Sequence, residues 1–75
     1  MNEQELIKFF SDFWGIEESK INNSLKLDDT SLHEQTSIKL YQFFADVESK
    51  FNIKFNDITQ ILTFGNLVKS IKENE

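Results

Sequence analysis

The chain contains no cysteine. A disulfide scaffold, a thiolate zinc site and thiol catalysis are therefore excluded. Histidine occurs once, at His33, which removes a multi-histidine metal site as well. Arginine is absent: all eight basic residues are Lys, against 13 acids, for a net charge of −5. Such a chain is poorly suited to nucleic acid or to an anionic membrane, and its natural partners are basic surfaces. Proline is missing and glycine stands only at Gly15 and Gly65, so turns must come from Asn, Asp and Ser. No apolar run approaches the length of a membrane span. Met1 to Glu5 carry acids where a signal peptide carries basic residues. A cytoplasmic monomer that binds neither nucleic acid nor membrane is expected.

What is present is enough for a core. Of the 75 residues, 39% are hydrophobic and 28% charged, the balance of a globular chain, and Phe occurs eight times. One domain over residues 1–75 is expected.

Hydrophobic spacing divides the chain into segments. From Glu3 to Trp14, Leu6, Phe9, Phe10 and Phe13 fall on one helical face, and Gly15 supplies a stop. Ile16 to Gln35 reads as a long polar loop pinned by Ile16, Ile21, Leu25, Leu27 and Leu32. From Thr36 to Asn52, Leu40, Phe43, Phe44, Val47 and Phe51 mark a second long helix. Asn56 or Asp57 caps a brief helix through Ile61. Thr63 caps a last helix with Phe64, Leu67, Val68 and Ile71 as its buried stripe. Phe51, Ile53 and Phe55 alternate as in a strand, but no second strand is there to pair with them. The fold class is all-α: a small four-helix bundle, three long helices and one short, with a long loop between the first two.

Among side chains, Phe9, Phe10, Phe13, Phe43, Phe44 and Phe51 read as core, and Trp14 and Tyr41 as edge residues or partner contacts. His33 has no nucleophile or second ligand to serve. Glu17-Glu18 and Asp28-Asp29 read as solvated charge and lack the alternating ligands and central Gly of an EF-hand. No nucleophile–base or metal constellation exists, so an enzyme in its own right is not expected.

Phe51-Asn52-Ile53-Lys54-Phe55, after Val47-Glu48-Ser49-Lys50, is similar to the "LEEEFxIxI" that ends helix two of the acyl carrier protein family. Ile61-Leu62-Thr63-Phe64-Gly65-Asn66-Leu67-Val68 resembles that family's "ITTVGDLV", and Asp29-Thr30-Ser31-Leu32 its "DTSL". The resemblance covers roughly the C-terminal two-thirds of the chain and implies an acyl-carrier-like bundle. It implies too a 4'-phosphopantetheine arm on a Ser at the start of helix two. Counting back from Phe51 without a gap puts that position at Ser37, followed by the apolar Ile38. The arm brings its own thiol, so the protein needs neither Cys nor catalytic side chains. The implied partners are a phosphopantetheinyl transferase and acyl-transferring or acyl-activating enzymes with basic docking surfaces, in fatty acid or polyketide biosynthesis.

The chain departs from the family at several points. Thr36 stands where the family has Asp. The loop between Leu32 and Ser37 and the segment from Phe55 to Ile61 are each about two residues short. Lys39 and Gln42 occupy positions that are typically acidic, while Asp46 and Glu48 remain acidic. Ser31 is a competing attachment site through its own Ser-Leu pair. Ser31 and Glu34 also suit a capping box, which would start the helix earlier and leave Ser37 in mid-helix. Two functions from different classes follow: a carrier loaded on Ser37, or an unmodified carrier-fold module that binds an enzyme or scaffold through helix two.

Overall fold

A computed structural model describes residues 1–27 and 37–75, with Ser37 described in its backbone only. Three α-helices are present among these residues: α1 (Glu3–Trp14), α2 (Ser37–Phe51) and α3 (Phe64–Glu73). Two 3₁₀ turns, Glu18–Lys20 and Ile58–Gln60, lie in the connections. No strand occurs among the described residues; an isolated antiparallel bridge joins Lys26 and Thr63. The fold is small and all-α. No helix among the described residues is long and apolar enough to cross a membrane.

Each helix ends where local chemistry ends it. At the start of α1, the Asn2 side chain accepts from the N–H groups of Gln4 and Glu5, while Glu3 and Glu5 meet the positive end of the dipole. Gly15 closes α1 in the left-handed region at φ 70°, and its N–H donates to Ser11 O at 2.8 Å. Asn52 takes the same role after α2 at φ 55°. Thr63 and Asn66 form a reciprocal capping box on α3: Asn66 N–H donates to Thr63 Oγ1, and Thr63 N–H donates to Asn66 Oδ1, both at 3.1 Å. The brief helix expected up to Ile61 is a single 3₁₀ turn. Asp57 caps it, accepting from Thr59 N–H at 3.0 Å. The Thr59 hydroxyl and N–H together hold the Asp57 carboxyl below its ordinary value of 3.8.

α1 and α2 run antiparallel. Lys39, early in α2, lies over the rings of Phe13 and Trp14 at the end of α1. Lys50, late in α2, pairs with Glu5 at 3.4 Å near the start of α1 and lies over Phe9. Between these clamps Phe43 meets five rings: Phe9, Phe10, Phe13, Trp14 and Phe44, at centroid distances of 5.1–5.8 Å. Phe10 also meets Phe64, which ties the first turn of α3 to the middle of α1. The buried residues form one cluster that includes all four of Phe64, Leu67, Val68 and Ile71.

Two expectations need correction. Trp14 is only 8% exposed and belongs to the core, not to an edge. Leu6, Phe10 and Trp14, four residues apart, are the fully inward line of α1, whereas Phe9 and Phe13 flank it half-buried. Phe51 is likewise half-buried. In the loop, Ile21 and Leu27 are buried and Ile16 and Leu25 pack beside them, while Leu32 lies outside the described residues.

The loop after α1 is fastened to the entry of α3 by backbone bonds. Leu27 N–H donates to Leu62 O, Phe64 N–H to Leu25 O and Gly65 N–H to Asn23 O, at 2.8–3.1 Å. Gly65 is required by this approach: a Cβ there would sit 2.9 Å from Asn23 O and 3.0 Å from Asn23 Cβ. Gly65→Ala should cost about 1–3 kcal/mol, the usual range for overpacking. Urea unfolding checks this, and the capping-box neighbour Asn66 gives a reference through Asn66→Ala, expected near 1 kcal/mol.

Candidate functional site

Ser37 lies on α2, four residues before Tyr41 and three before Leu40. The reason a helix forms here is the apolar stripe: Phe43, Phe44 and Val47 are buried, with Leu40 and Phe51 half-buried on the same side. Thr36, Ser31, Glu34, His33, Asp28 and Asp29 lie outside the described residues, and with them the capping-box alternative and the competing Ser31 site.

One helical turn along α2 from Ser37, Leu40 enters the lining of an apolar cavity. The cavity measures about 200 Å³ and is bordered by Leu27, Leu40, Ile58, Thr59, Ile61 and Leu62. It therefore draws on α2, the loop after α1, the 3₁₀ turn and the entry to α3. Among the described residues no ionisable side chain is in that lining. Leu62, in this lining, is 64% exposed. On the neighbouring face of α2, Ile38 is 77% and Tyr41 61% exposed. These three are the exposed large hydrophobic residues among those described.

Three of the four charged residues of α2 are engaged elsewhere. Lys39 faces aromatic rings, and Lys50 faces Glu5 and Phe9. Glu48 Oε2 accepts from the backbone N–H of Phe55 at 2.8 Å, and Glu48 O accepts from Ile53 N–H at 3.1 Å. Glu48 thus closes the reversal at Asn52 rather than standing free for a partner. Glu48→Ala leaves the part-buried Phe55 N–H without its acceptor and should cost about 1–3 kcal/mol, and Glu48→Gln clearly less. Denaturant midpoints of the two variants test the order.

Among the described residues no group of three or more His, Cys, Asp or Glu is placed to hold a metal ion. The cavity and the roles of Lys39 and Glu48 were not anticipated from the sequence. The cavity residues come from separate segments with no shared period, and the Glu48–Phe55 bond depends on the left-handed turn at Asn52. No family model matches this chain, and no curated protein matches it in sequence.

Proposed function

We propose that the chain is an acyl carrier protein. In this reading its three helices and the 3₁₀ turn at Ile58–Gln60 make a four-element carrier bundle, and Ser37 bears a 4'-phosphopantetheine arm. The observation that carries it is the pairing of Ser37 on α2 with an apolar cavity that begins one turn further on, at Leu40. The residues present fit such an arm. Ser37 offers a hydroxyl for the phosphodiester. Leu27, Leu40, Ile58, Ile61 and Leu62 offer apolar surface to an acyl end. When bound, the arm supplies the thiol on which an acyl or aminoacyl group travels. The protein performs no turnover of its own. A transferase installs the arm, and acyl-activating or acyl-transferring enzymes load and unload it.

A second reading has an observation in its favour. Ile38 and Tyr41 are exposed on α2, and Thr36 replaces the family's Asp, which suits an unmodified module that binds an enzyme or scaffold through this helix. Incubation with coenzyme A and a broad-specificity phosphopantetheinyl transferase separates the two. A gain of one arm in intact mass supports the carrier. A folded protein of unchanged mass supports the module.

A further inference from the structure

We draw no further inference here: the strongest candidate, the polar cleft between residues 56–61 and the outer face of α3, carries charges of both signs on the exposed side chains of Asp57, Lys69 and Glu73, and none of its polar side chains among the described residues is buried, so nothing in the structure shows what occupies it.

Discussion

Phe43→Ala should be the most destabilising single truncation in this protein, costing about 3–5 kcal/mol. Phe43 has no exposed surface and contacts five other rings, four of them on α1. Removing it opens a cavity at the seam between the two antiparallel helices and breaks edge and stacked ring contacts worth about 0.5–1.5 kcal/mol each beyond their buried area. The lysine clamps at the ends of the seam cannot offset this, since cation–π contacts at partly exposed sites are worth about 0.5–1 kcal/mol. A domain of this size has a total stability of only about 4–11 kcal/mol at the usual per-residue value, so the variant should be marginal at room temperature. Phe43→Leu, which fills most of the space, should lose much less. Trp14, 5.6 Å from Phe43, is a built-in fluorescent reporter of the transition in urea. A Phe43→Ala midpoint within experimental error of wild type would mean that the ring cluster does not hold α1 to α2.

α1, α2 and α3 are legible in the sequence because each carries an apolar stripe of two or more turns. Trp14 was misassigned because Leu6, Phe9, Phe10 and Phe13 satisfy helical spacing just as well as the line through Leu6, Phe10 and Trp14 that the core selects. Packing against Phe43 and Lys39 decides between them, and neither contact has a local signature. Between Asp57 and Ile61 too few residues remain to repay helix nucleation, so the segment settles into one 3₁₀ turn. The bond of Glu48 has no local signature, because its partner, Phe55 N–H, is brought near only by the reversal at Asn52. At the candidate site, the place of Ser37 on the second long helix follows from counting along an uninterrupted stripe. The cavity beside Leu40 does not, since it is assembled from four segments whose pairing is purely tertiary.

The largest functional effect belongs to Ser37→Ala, which should abolish arm addition altogether. The substitution removes the oxygen that takes the phosphodiester, and no neighbouring side chain on the first described turn of α2 offers another: Ile38, Lys39 and Leu40 follow. Alanine is the best helix former, so the fold should be kept, with a change in stability well under about 1 kcal/mol at this helical position. Loss of the arm with the denaturation curve nearly unmoved is therefore the expected pair of observations. Ser37→Thr keeps a hydroxyl while adding a methyl group, and should retain at most a small part of the transfer rate.

The most direct measurement is to digest the wild-type protein after treatment with coenzyme A and transferase, and to locate the added mass by fragmentation. The carrier account predicts one arm per chain, on Ser37, and none in Ser37→Ala. An arm on Ser31, or a folded wild type that gains no mass, would contradict it.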